Sequence, residues 1–170
     1  MGADNQQERL ENSWVVGFTD GEGCFSISVF KNSTSTLGWQ VFPEFAITQG
    51  AKSLNTLERI QRFFDCGRVF VNRRHDNHRE HLYRYCVRSI SDLQNVIIPF
   101  FVENQLQSSR KEDFKHFSRA LELISKRKHL TRVGLVQIAT IASKMNRKTK
   151  PKFLKSSETI RQALHQAGKI

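Results

Sequence analysis

The chain has 170 residues, with 27 Lys and Arg against 16 Asp and Glu, so it is one domain or one subunit with a formal net charge of +11. That excess favours a polyanionic partner, nucleic acid first, over a merely soluble basic protein. Cys24, Cys66 and Cys86 form no C-x-x-C pair, no apolar run reaches spanning length, and the start MGADNQQERLEN is polar; these features argue against a cysteine zinc site, a membrane span, and a signal or transit peptide, and favour a reducing, intracellular compartment.

The first element predicted is a helix. Leu10, Trp14 and Phe18 recur at i, i+4 and i+8, which predicts one apolar face turned to a core. Ser13, Gly17 and Gly21 recur at the same spacing on a neighbouring face. All three are small, and such a face lets a second helix backbone approach closely. Asp20 and Glu22 fall at the C-terminal end, which already carries partial negative charge. Acids there are unfavourable unless a cation is present. The alternative is a plain helix stop, with glycines ending the helix and the acids solvated.

After Gly23 the period changes to alternation. Phe25, Ile27 and Val29 point one way; Ser26, Ser28, Phe30 and Asn32 point the other. A polar loop over 32–38 leads to a second strand over 39–49. Its inner set is Val41, Pro43, Phe45 and Ile47; Gln40, Phe42, Glu44, Ala46 and Thr48 face outward. Pro43 belongs on an edge or at a bulge. Residues 52–64 are predicted helical, with Leu54, Leu57, Ile60, Phe63 and Phe64 inside, and Cys66 and Gly67 at the stop. A third strand covers 68–74, with Val69 and Val71 inside and Arg68, Phe70, Asn72 and Arg74 outside. A fourth covers 82–89, with Tyr83, Tyr85 and Val87 inside and Arg84, Cys86 and Arg88 outside. Ser91 and Gln94 form a capping-box pattern opening a helix that ends near Pro99.

Ser109 and Glu112 make a second capping box, so a helix is expected from there to about 126, with Phe114, Phe117, Leu121 and Ile124 as its stripe. Another helix is expected over 132–144. A basic loop over 146–157 follows, carrying Lys148, Lys150 and Lys152 as candidate phosphate contacts, and then a short helix over 158–167. The expected fold class is α+β: an αββαββα core, about 8–101, with a twisted antiparallel four-stranded sheet, and C-terminal helices over about 109–167.

Two groups of residues point to chemistry. The outward strand face collects Gln40, Arg68, Asn72, Arg74, Arg84 and Arg88, side chains that hydrogen-bond base edges or phosphates, and a twisted antiparallel ribbon fits the major groove. Ser26, Ser28, Asn32, Glu44 and Cys86 share that face. Phe30, Phe42 and Phe70 also fall there; either they touch thymine methyls or the strand register is off by one. Arg110 and Lys111 sit in the first turn of their helix, where cations oppose the dipole unless an anion lies close by. His75, His78 and His81 have no common zinc spacing, and a hairpin tip that touches phosphate is the simpler reading.

The stretch WVVGFTDGEGCF, residues 14–25, resembles the signature of the LAGLIDADG homing endonucleases. Gly17 matches the mid-helix glycine, and Asp20, Gly21, Glu22 and Gly23 match the D-G-D/E-G end. Trp14, Val15 and Val16 depart from the usual leading pair. The predicted element order is similar to that of the single-motif members. The resemblance implies a homodimer whose signature helices pack through Ser13, Gly17 and Gly21. It implies Mg²⁺ at Glu22, with the Gly21 carbonyl and, more weakly, Asp20, and a metal-dependent cut of double-stranded DNA at a long, near-palindromic site. Gln49 matches a polar residue near the nucleophilic water. Arg110, with Lys111 beside it, stands where a lysine that reaches the active-site solvent is usual. A host in organellar or microbial introns is implied. The rival reading is a binding module: a maturase-like RNA splicing cofactor, or a DNA-binding relative without cleavage.

Overall fold

The computed structural model describes residues 9–72 and 81–145. The elements are α1 (Asn12–Glu22), β1 (Gly23–Lys31), β2 (Trp39–Gly50), α2 (Leu54–Phe64), β3 (Arg68–Asn72), β4 (Leu82–Val87), α3 (Ile90–Asp92), α4 (Ile98–Glu103), α5 (Arg110–Ser125) and α6 (Arg132–Ala142). The strands form one four-stranded sheet in the order β1-β2-β4-β3, with β4 antiparallel to both β2 and β3. The αββαββα order with further helices is therefore as expected. The helix expected over 158–167 lies outside the described residues.

Contacts divide the chain into two units. The first comprises Met1–Cys24 with Glu44–Arg110. Phe45 is its centre: its ring lies 5.6 Å from Phe101, 6.2 Å from Phe64 and 6.3 Å from Tyr85, all at steep edge angles. Such edge-to-face pairs add to the burial of large apolar area. Leu57, Ile60, Leu93, Ile97 and Leu106 complete this core. The buried Tyr85 hydroxyl donates to the Cys66 carbonyl at 3.0 Å, which satisfies its one polar atom. α2 ends where Asp65 takes φ 49° and Gly67 takes φ 75°. A Cβ at Gly67 would also stand 2.6 Å from the Cys86 carbonyl oxygen, so conformation and space both require glycine there.

The second unit comprises Phe25–Pro43 with Lys111–Ile170. Phe25 packs against Phe114 and Phe117 of α5 at 5.3 and 5.4 Å. Val29 packs with Leu135 and Ala139 of α6, flanked by Leu37, Trp39, Val41 and Val136. The period-2 set of β1 thus meets the stripe of α5 as their spacing predicts, and Val29 adds a contact with α6.

Several expectations are corrected. In α1 the core-facing residues are Val15 and Thr19, while Trp14 is 40% exposed. The helix begins at Asn12, so Leu10 is buried ahead of it and does not share its face with Trp14. Ala46 and Cys86, expected outside, are buried; they stand opposite one another in the β2–β4 ladder. Two small side chains on a face of long ones are covered by their neighbours. Val71, expected inside, is 37% exposed because β3 is an edge strand. Pro43, expected on an edge or at a bulge, lies within β2, an inner strand, just ahead of the point at which the β2–β4 ladder starts at Phe45. Ser89, not Ser91, caps α3 by accepting from the Asp92 amide at 3.2 Å. The helical path then runs through a π-turn over Leu93–Ile97 and past Pro99 to Glu103. A wider turn ahead of a proline accommodates the hydrogen bond its ring cannot donate.

Candidate metal centre and nucleic-acid interface

The join between α1 and β1 is set by Gly23. A Cβ there would lie 2.5 Å from Thr19 Cγ2 and 2.6 Å from the Thr19 oxygen, and the Gly23 amide donates to that oxygen. Only glycine lets the strand leave so close to the last helical turn. Glu22, the preceding residue, is thereby held exposed at the negative end of the helix. Ser13, Gly17 and Gly21 are exposed on the same helix. A Cβ at Gly17 or Gly21 would meet nothing within 4 Å, so this chain's own packing requires neither glycine. Trp14 and Phe18 stack on each other at 4.9 Å beside that face.

Asp20 is engaged quite differently from Glu22. Its Oδ2 accepts from the Gln107 amide at 2.8 Å, and its Oδ1 accepts from the Ser108 amide at 3.0 Å and the Ser108 hydroxyl at 2.7 Å. Burial pushes this carboxyl up, but those amides, the hydroxyl and the nearby Arg110 charge together hold it below the usual carboxylate value. Ser108 Oγ also accepts from the Arg110 amide at 3.2 Å. Ser108 rather than Ser109 thus supplies the hydroxyl at the start of α5, and Glu112 pairs with Lys115 at 2.6 Å. Arg110 and Lys111 are both half-buried. Gln49 is half-buried near the end of β2, opposite Tyr83.

Within the first unit, the outer side of the strands carries a charged cluster. Glu44, expected to face outward, has a side chain only 7% exposed. Its Oε1 accepts from Arg84 Nη2 at 2.5 Å and its Oε2 from Arg88 Nε at 2.6 Å. The Arg88 guanidinium lies 5.1 Å from the centre of the exposed Phe70 ring. Arg68 is exposed. Beneath the cluster, burial first and the Glu44 charge second push the Cys86 thiol up to about 11.

Within the second unit, Ser28 and Phe30 are exposed and Ser26 is half-buried. Asn32 donates to Gln40 Oε1 at 2.7 Å and orders its loop by accepting from the Thr34 amide and hydroxyl. Phe30 and Phe42 pair at 6.3 Å. The register of β1 is as expected, since Phe25, Ile27 and Val29 are buried. Arg74, Lys148, Lys150, Lys152, His75, His78 and the side chain of Asn72 lie outside the described residues.

Among the described residues no three His, Cys, Asp or Glu gather as a metal nest. One exposed carboxylate with an adjacent main-chain carbonyl, here Glu22 with Gly21, is nevertheless a donor set that suits Mg²⁺, which keeps most of its waters. Asp20, with both oxygens taken by the 107–108 main chain, fits such a role less well. Sequence reasoning missed the Asp20–Ser108 clasp and the anchoring role of Glu44. The signal for the second was present: a single acid on a strand face otherwise rich in arginine.

The family model for LAGLIDADG endonuclease matches residues 15–121. The chain belongs to the LAGLIDADG endonuclease family. A relative from Neurospora crassa, "Probable intron-encoded endonuclease 3", is 36% identical over 138 residues, 79% of this chain and 25% of the relative. The crystal structure of the homing endonuclease I-TnaI superposes with a TM-score of 0.76 at 37% identity, covering 91% of this LAGLIDADG chain and 98% of that one. I-LtrWI, a LAGLIDADG homing endonuclease solved bound to target DNA, gives a TM-score of 0.76 at 34% identity, covering 87% of this chain and 47% of that one. The chain thus spans about a quarter of the curated relative and nearly all of I-TnaI. Among the described residues no helix is long and apolar enough to cross a membrane.

Proposed function

We propose that this chain is one subunit of a homodimeric, Mg²⁺-dependent endonuclease that hydrolyses double-stranded DNA at a long, near-palindromic site, and that it is intron-encoded and acts inside the cell. The observation that carries the reading is Glu22. It is an exposed acid at the negative end of a helix whose neighbouring face of small residues is unused by the chain's own packing. Pure binding has no need of an acid next to phosphate.

Glu22 and the Gly21 carbonyl would hold the metal. When bound, Mg²⁺ supplies charge stabilisation to the attacking and leaving oxygens of a phosphodiester. Gln49 orients the nucleophilic water. Arg110, held at the start of α5 by Ser108, stabilises charge on the reacting phosphate. Asp20 positions that arginine through the 107–108 segment. On the outer strand faces, Arg68, Arg84 and Arg88 of the first unit and Ser26, Ser28, Asn32 and Gln40 of the second contact DNA, joined by Asn72, Arg74 and the basic residues Lys148, Lys150 and Lys152. Lys111 adds positive charge beside Arg110.

Supercoiled DNA carrying a candidate intron-insertion site should be linearised with Mg²⁺ and left intact without it. Glu22→Gln should abolish cleavage while binding is kept or slightly tightened, since a charge facing phosphate is removed. Cleavage by the mutant at the wild-type rate would dismiss Glu22 as a ligand. Tight RNA binding with no DNA cleavage in any metal would favour a splicing cofactor.

A further inference from the structure

We propose that Glu44 is a positioning residue for sequence readout: it holds Arg84 and Arg88 in a fixed pair aimed at base edges and keeps them from seeking phosphate. The inference rests on the reading of the strand face as a DNA-binding surface. The geometry behind it lies within the first unit. One carboxylate, almost fully covered, uses a different oxygen for each guanidinium. Charge-assisted bonds of this kind are short and directional. Both arginines remain partly exposed, at 30% and 44%, so they are held without being buried. Phe70 adds a second restraint on Arg88 from the neighbouring strand side.

The physical consequence is a change in what the arginines recognise. A loose surface arginine is a long, flexible cation, and the nearest phosphate satisfies it in any sequence. Two such cations side by side also repel. A buried carboxylate between them removes the repulsion, halves the net charge they present, and fixes the direction of each fork. A fixed planar fork reads the O6 and N7 acceptors of guanine in the major groove, a pattern that other bases do not offer. Glu44 itself then contacts no base. It acts through the arginines, which is why an acid stands on a face that meets a polyanion.

The probe is a randomised duplex library, from which wild-type protein selects its preferred sites. Glu44→Gln should bind non-specific duplex as well as or better than wild type. The dependence of log affinity on log salt should steepen by about one for each arginine released to a phosphate. The selected sites should lose preference, on the order of tenfold or more, at one or two base pairs per half-site. Glu44→Asp keeps the charge but withdraws the carboxylate by one methylene, so it should show the same loss in smaller measure; it decides the matter if the glutamine variant does not fold. A wild-type selection profile and salt slope in the folded variants would overturn the inference and leave DNA binding standing. A wild-type protein that enriches no sequence would overturn the strand-face reading and the inference with it.

Discussion

The Ser108 hydroxyl donates to the Asp20 carboxylate at 2.7 Å across 88 residues of sequence. The amides of Gln107 and Ser108 bind the same group, so the end of α1 is tied to the segment that opens α5. Three donors on one carboxylate make this a clasp whose strength depends on the charge.

Asp20→Asn should therefore lower stability by roughly 1 kcal/mol at neutral pH. The pH dependence has a definite sign. The folded carboxyl is more acidic than its ordinary value of 3.8, so its stabilisation is complete above that value and is lost as pH falls through the lower folded one. Denaturant midpoints of wild type and mutant should be well separated at neutral pH and converge in acid. A separation that persists unchanged in acid would assign the loss to packing rather than charge.

Gly17→Leu separates a demand of the fold from a demand of assembly. Leucine is the better helix former by up to about 1 kcal/mol, and a Cβ at Gly17 meets nothing in this chain. The variant should keep its helical circular dichroism, yet sediment as a monomer and fail to cut. A variant that remains dimeric would remove the small helix face from the interface.

Thr19 offers a test of the core beneath the signature. Its side chain is fully buried, and its hydroxyl has no hydrogen-bond partner among the described residues. Valine has the same shape without the polar atom. Thr19→Val should stabilise the protein by about 1 kcal/mol, read as a higher denaturant midpoint. A lower midpoint would mean that an ordered water satisfies the hydroxyl.

The parts of the fold that sequence reasoning reached were those whose evidence is local. Phe25, Ile27 and Val29 alternate over a few residues, and Phe114, Phe117, Leu121 and Ile124 repeat within one helix; all are buried as their spacing implies. The α1 face was misread because the helix starts only at Asn12, which leaves Leu10 outside it, and because Val15 and Thr19, one position on from Trp14 and Phe18, are the residues turned to the core. Cys86 was misread because its cover comes from Ala46 and Glu44 on another strand. The same holds at the site. The D-G-E-G run singled out Glu22 as a candidate, while the partners of Asp20 lie at 107–108 and those of Glu44 at 84 and 88, pairings that only the folded chain creates.

Arg110 is the residue at which these non-local pairings bear on chemistry. Its amide is held by Ser108, and its charge lies close enough to Asp20 to make that carboxyl more acidic. A cation in the first turn of α5 works against the helix dipole, so helix stability alone would not select it. Asp20 offsets part of that cost in the folded chain, and a phosphate near the helix start would offset more. Arg110→Ala should then reduce the single-turnover cleavage rate by on the order of 10²-fold or more, as loss of a charge-stabilising group does, while DNA affinity falls only several-fold. Arg110→Lys keeps the charge without the fork and should retain partial activity. Ser108→Ala should shift the rate in the same direction by less, because the arginine survives but its anchor does not. Rates measured beside affinities, all at one salt concentration, decide the matter. If Arg110→Ala weakens binding but cuts at full rate once bound, the residue is an ordinary phosphate contact, and the clasp at Asp20 serves the fold alone.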